Sequence, residues 1–252
     1  MRLIRHKIIA TVLAALAVSV IATAQPPWVG RFGGRPGLEG AGFGFGSDKV
    51  VTNAPYSGVG VRTFTQTLST GNVISRSTCT KVYRDSEGRT RQEITRNSPN
   101  CSDVPATIVI RDPVAGVQYF IDEKNKAYRQ FTFKAPPSTS TMPPNRPAQA
   151  DVQTATLPPQ LVLGTDLLAQ GSETVRTIPA GEIGNAEPIT ITSSTYYSPD
   201  LQIVVQSSRD DPRTGQTRYQ LTVNSTENPT DATLFQLPAG LTQQQGRSPG
   251  AR

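Results

Sequence analysis

The stretch VISRSTCTKVYR-DSEG-RTRQEITR, residues 73–96, decides the fold class. Two runs rich in Val, Ile, Thr and Arg flank Asp85-Ser86-Glu87-Gly88. Branched side chains at that density favour extended backbone, and the four central residues read as a type I turn closed by a glycine bulge. Pairing Asp85 with Arg89 fixes a register. It sets Lys81 opposite Glu93, an attractive cross-strand pair, and Thr95 opposite Cys79. Cys101 follows six residues later, close enough to fold back onto Cys79. The chain has two cysteines in all, and an even pair in an oxidising compartment reads as the disulfide Cys79–Cys101.

Other segments repeat this grammar. Asp112-Pro113-Val114-Ala115-Gly116 and Asp211-Pro212-Arg213-Thr214-Gly215 share the pattern D-P-x-x-G. Asp bonds the turn backbone, Pro presets φ and Gly accepts the left-handed position. Ser198-Pro199-Asp200 reads as a hairpin turn between Tyr197 and Leu201. Strands are expected at 61–68, 73–84, 89–96, 107–111, 117–121, 127–133, 173–178, 189–197, 202–208 and 217–224. Helix signals are few: a short turn within 157–168 after Pro158-Pro159, and another at 231–235 capped by Asp231. The expected fold is therefore all-β or β-dominated: a curved antiparallel sheet of about 8–11 strands with few short helices.

The ends read differently. Arg2, Arg5 and Lys7 precede an uncharged run of 17 residues ending in Ala22-Thr23-Ala24. That is the pattern of a secretory leader spanning 1–24, with the mature chain starting at Gln25; cleavage is expected over retention as an anchor. Removing 24 of 252 residues leaves 228 and takes three basic residues, so net charge falls from +6 to +3. Residues 25–55 include eight glycines between Val29 and Gly46 and read as a flexible arm. A single β domain is expected over 56–238. Within it, 135–157 is read as a proline-rich loop, and 239–252 as a disordered tail. No other apolar run is long enough to span a bilayer, so no membrane span is expected once the leader is gone. Periplasmic or secreted localisation follows.

Chemistry is constrained by one absence. The chain's single histidine, His6, lies in the leader. No Ser-His-Asp or Cys-His nucleophile and no His-containing zinc site can then be built from residues 25–252. No phosphate-binding glycine motif occurs, so no cofactor is expected. Two cysteines cannot make a structural zinc site and D-x-D-x-D-G spacing is missing, so no metal is expected. Export argues against a nucleic-acid partner. A glycosidase needs two carboxylates facing a sugar. Glu182, Asp210 and Asp211 are the candidates, each read first as a loop or turn residue. Arg76, Lys81, Arg84, Arg89, Arg91 and Arg96 form a basic cluster whose members alternate between strand faces. Aromatics fall on expected strands, and Tyr119 and Phe120, like Tyr196 and Tyr197, must point to opposite faces. Tyr119, Tyr128, Phe131 and Tyr197 are the candidate ligand face.

The stretches Val82-Tyr83-Arg84-Asp85-Ser86-Glu87-Gly88-Arg89, Asp112-Pro113-Val114-Ala115-Gly116-Val117-Gln118-Tyr119, Ile178-Pro179-Ala180-Gly181-Glu182-Ile183-Gly184-Asn185 and Tyr197-Ser198-Pro199-Asp200-Leu201 resemble a group of uncharacterised bacterial secreted proteins. The resemblance covers about residues 60–238 and carries no catalytic residues. More remotely, the strand succession is similar to the curved antiparallel sheet of periplasmic lipoprotein carriers, whose concave apolar face holds acyl chains beneath helices. The resemblance implies non-catalytic binding of an apolar or amphipathic envelope ligand. The alternatives are an envelope or extracellular interaction protein without a pocket, and a carboxylate hydrolase.

Overall fold

The computed structural model describes residues 50–133, 152–229 and 231–244. All of them belong to one compact unit, Ala41–Arg252. The first meander runs β1 (Tyr56–Thr67), β2 (Val73–Arg84), β3 (Thr90–Arg96), β4 (Thr107–Asp112), β5 (Val117–Asp122) and β6 (Ala127–Thr132). The second runs β7 (Val152–Leu161), β8 (Leu168–Ile178), β9 (Ile189–Ser198), β10 (Ile203–Asp211) and β11 (Gly215–Ser225). β12 (Thr242–Gln243) closes the order. Together they make one curved open sheet, ordered β12-β6-β5-β4-β3-β2-β1-β11-β10-β9-β8-β7. Neighbours in each meander pair antiparallel, β1 joins the meanders by pairing with β11, and only β12 lies parallel to its neighbour β6.

The hairpin that decided the fold class stands in its expected register. The Asp85 N–H donates to the Arg89 carbonyl at 3.1 Å, Lys81 faces Glu93 and Cys79 faces Thr95. Asp85 Oδ1 also accepts from the Glu87 and Arg89 amides, while Oδ2 pairs with Arg89 at 2.6 Å. Cys79 and Cys101 are joined. Closing a chain separation of 22 residues contributes about 3 kcal/mol on the chain-entropy model. Both D-P-x-x-G turns form, with Gly116 at φ 67 and Gly215 at φ 101.

Differences have local causes. Residues 157–168 hold no helix. Pro158 and Pro159 lie in a bulge of edge strand β7, where the missing N–H groups cost no ladder bond, and a turn follows from Val162. β7 begins at Val152, inside the stretch read as proline-rich loop; the rest of that loop, like the leader and most of the glycine-rich arm, lies outside the described residues. The Ser198 hairpin is longer than expected. Ser198 pairs with Ile203, and Gln202 takes the left-handed position at φ 51. The expected turn at 231–235 is a 3₁₀ turn, Ala232–Phe235, capped by Asp231. Thr242 and Gln243, read as tail, pair with Ala127 and Tyr128.

Curvature shows in contacts between strands that are not neighbours. Gln160 on β7 donates to Gln206 on β10 at 2.7 Å, and the Val223 N–H on β11 donates to the Leu163 carbonyl in the β7–β8 turn at 2.8 Å. At about 4.8 Å per strand a flat sheet would hold β7 and β10 roughly 14 Å apart. Gly164, at φ 85, allows the backbone approach: a Cβ there would stand 2.0 Å from the Val223 carbonyl oxygen.

Cross-strand partners share a face, so register sorts the core. Tyr56, Val82, Tyr219, Leu221 and Val223 stand on one face and are sealed by Val162, Leu201 and Ile203 from the curled hairpin ends. Ile108, Ile110 and Ile121 stand on the other face, with Tyr119, Tyr128, Leu237 and Leu241 packed on them. The sheet is buried on opposite faces at its two ends. Arg84, 2% exposed, belongs to the first core. Its Nε donates to the Ala54 carbonyl at 2.7 Å, its Nη2 to the Leu201 carbonyl at 2.5 Å, and its guanidinium lies 4.7 Å from the Tyr56 ring centroid.

Arg84→Ala strands two buried carbonyls and opens a cavity. We expect it to lower unfolding free energy by about 3 kcal/mol in urea titration. A loss under about 1 kcal/mol would show that Arg84 does not hold the two meanders together.

Candidate functional site

The four aromatics expected to form one ligand face do not share it. Tyr119 and Tyr128 sit edge to face with centroids 6.1 Å apart, on the face covered by the C-terminal segment. The Tyr128 hydroxyl meets Gln243 at 3.3 Å. Phe131 lies on the opposite face, 48% exposed. Tyr197, 41% exposed, stands on β9, while its neighbour Tyr196 packs on the first core. The alternation read from Tyr119-Phe120 and Tyr196-Tyr197 is therefore present, but the groupings across strands differ. Two strands of unknown register cannot reveal which of their aromatics meet.

What register does assemble is a different group. On β4–β6, Val109 faces Phe120, Phe120 faces Arg129, Arg111 faces Gln118, and Gln118 faces Phe131. All of them share the face away from the C-terminal segment. Phe120 and Phe131 meet edge to face at 5.5 Å, and the Arg111 guanidinium lies 4.7 Å from the Phe133 ring centroid. Edge-to-face pairing contributes about 1 kcal/mol beyond area burial, yet Phe131 keeps nearly half its surface open. Phe131 is one of several large apolar side chains left exposed, with Val104, Val114, Leu161 and Ile183 among them; here it stands in contact with a second aromatic ring. The sequence signal for this group was the alternation of 117–121 and 127–133 combined with the Asp122 turn. Asp122 Oδ1 accepts from the Asn125 amide, and Asp122 faces Ala127.

The basic cluster divides between faces as strand alternation requires. Arg76, Arg84 and Arg96 point one way, Lys81 and Arg91 the other, and Arg89 lies in the turn. Arg91 is neutralised by Glu93 at 2.8 Å and donates to the Leu234 carbonyl, which fastens the C-terminal segment.

The carboxylate candidates do not form a catalytic pair. Asp211 is 2% exposed and gives its oxygens to Arg209 and Arg213, with Oδ1 also accepting the Arg213 amide. Glu182 and Asp210 are exposed, Glu182 in the β8–β9 connection and Asp210 on β10 between Thr192 and Gln216. Among the described residues no three His, Cys, Asp or Glu side chains stand where they could share a metal ion. Burial pushes the Tyr219 phenol up to about 12, against the pull of Arg62. The Tyr219 ring covers Gly60, where a Cβ would stand 2.8 Å from it.

No protein-family model matches this chain, and no curated protein does. Among solved structures it is similar to MucB, at 11% identity and a TM-score of 0.39 over 77% of this chain and 60% of that one. The chain thus spans about three fifths of MucB. It is similar to an uncharacterized conserved protein of Thermus thermophilus, at 9% identity and TM-score 0.39 over 75% of this chain and 90% of that one. It is also similar to a LolA-superfamily protein of Nitrosomonas europaea, at 8% identity and TM-score 0.30 over 75% and 94%. No helix among the described residues is long and apolar enough to cross a membrane.

Asp211 yields a pH test. The hydrogen bond donated by the Arg213 side chain holds its carboxyl at about 2, below the ordinary 3.8. A depressed carboxyl stabilises the fold above pH ~4, and that stabilisation is lost as pH falls through about 2. Asp211→Asn should cost about 2 kcal/mol at pH 7 and flatten the stability profile between pH 4 and 2, read by urea titration across pH. An unchanged acid limb would show that the Arg209–Asp211–Arg213 cluster contributes nothing.

Proposed function

We propose that this is an exported, non-catalytic protein that binds an apolar or amphipathic envelope ligand on the open face of β4–β6. The observation that carries this reading is the Phe120–Phe131 pair. It stands on the face of β5 and β6 opposite the C-terminal segment, beside Val109, with Phe131 48% exposed. Burying such a surface under an alkyl chain releases hydration that the free protein must carry. Export into the periplasm or medium supplies the oxidising surroundings that the Cys79–Cys101 bridge requires. The absence of histidine from residues 25–252, together with the engagement of Asp211 by two arginines, supports a binding role over hydrolysis.

Native mass spectrometry of the protein purified from its own cell envelope tests the reading. Wild type is expected to carry lipid-sized adducts that detergent removes. Phe120→Ala with Phe131→Ala should lower their occupancy about tenfold, whereas Tyr197→Ala should not. Bare wild-type protein would favour an interaction surface without a small-molecule ligand, and adducts retained by the double variant would place the ligand elsewhere.

A further inference from the structure

We infer that the ligand of this face is a single-chain anionic amphiphile, taken up as a free molecule and not as part of a bilayer. The inference rests on the reading of the β4–β6 face as the binding site and names its chemistry.

Two guanidiniums frame the apolar group. Arg129 lies directly opposite Phe120, and Arg111 lies two strands from Phe131 in the same transverse row. Among the described residues neither makes an ion pair, and the Arg111 contact is with the Phe133 ring. The acidic side chain sharing the face is Asp122. Both its oxygens are taken by Asn125, Oδ1 by the amide and Oδ2 by the side chain at 2.8 Å. A neutral or cationic chain laid over Phe120 and Phe131 would strip water from two guanidiniums and give them no counter-charge. An anionic head removes that penalty and can accept two parallel N–H bonds from one arginine.

Size argues for one chain. Three strands at about 4.8 Å spacing span roughly 10 Å, and a row from β3 to β6 roughly 14 Å, the reach of one medium alkyl chain. A bilayer surface would instead need a broad field of cations. The net charge of +3 expected after loss of the leader attracts such a surface weakly.

The test is calorimetric titration of the full mature protein with decanoate, 1-decanol and decyltrimethylammonium, each kept below self-association, and with phosphatidylglycerol vesicles. Decanoate should bind about tenfold tighter than decanol, and the cation more weakly than either. Arg111→Gln with Arg129→Gln should abolish that preference by weakening decanoate, while decanol, relieved of the cost of desolvating two guanidiniums, should bind at least as tightly as to wild type. Phe120→Ala with Phe131→Ala should weaken decanoate and decanol alike. Equal affinity for decanoate and decanol would overturn the inference and leave the binding site standing. A preference for decanoate that survives loss of both arginines would also overturn it. Failure of all three amphiphiles and of the vesicles would count against the β4–β6 face as the binding site. Vesicle binding without decanoate binding would assign the face to a membrane surface.

Discussion

Arg84 carries its charge where water does not reach, and the carbonyl oxygens of Ala54 and Leu201 make that tolerable. Its pKa is lowered by burial, with the Tyr56 and Tyr197 hydroxyls opposing that shift. One side chain thereby ties β2 of the first meander to the β9–β10 turn of the second, more than a hundred residues away in sequence. Lysine could not replace it, since a point-charge ammonium cannot bond both carbonyls in one plane and lie over Tyr56. This tie holds the β9–β10 turn against β2. Leu201 is drawn beneath the hairpin ends, and the first core closes around it.

Closing one end in this way leaves the other to solve burial by itself. The isoleucines of β4 and β5 point to the opposite face, so the C-terminal segment crosses there, fastened by Arg91 to the Leu234 carbonyl and finished by β12 against β6. The face of β4–β6 turned away from that segment is left with Val109, Phe120 and Phe131. The candidate site is therefore a consequence of where the two cores lie, and no catalytic constellation is needed to explain it.

Local features were legible in the sequence because short-range chemistry determines them. The Asp85–Gly88 turn and the 3₁₀ turn at Asp231 follow from residues within a few positions of one another, and the register that the first turn sets brings Cys79 within reach of Cys101, 22 residues on. The long-range pairing of β1 with β11 and the curl that brings Leu163 to Val223 have no such signature. The same limit explains the scattered ligand face. Alternation correctly placed Tyr119 opposite in sense to Phe120, but the C-terminal cover that claims Tyr119 and Tyr128 comes from more than a hundred residues away. Prolines that begin a helix and prolines that bulge an edge strand, as Pro158 and Pro159 do, look alike until their neighbours are known.

A ligand lying on the β4–β6 face would shield one face of one end of the sheet. Amide hydrogen exchange on protein taken from its own envelope, before and after removal of bound lipid, addresses it directly. Delipidation should speed exchange in β4, β5 and β6 and leave β1, β2 and β11 unchanged. Faster exchange confined to β8–β10, or none anywhere, would contradict it.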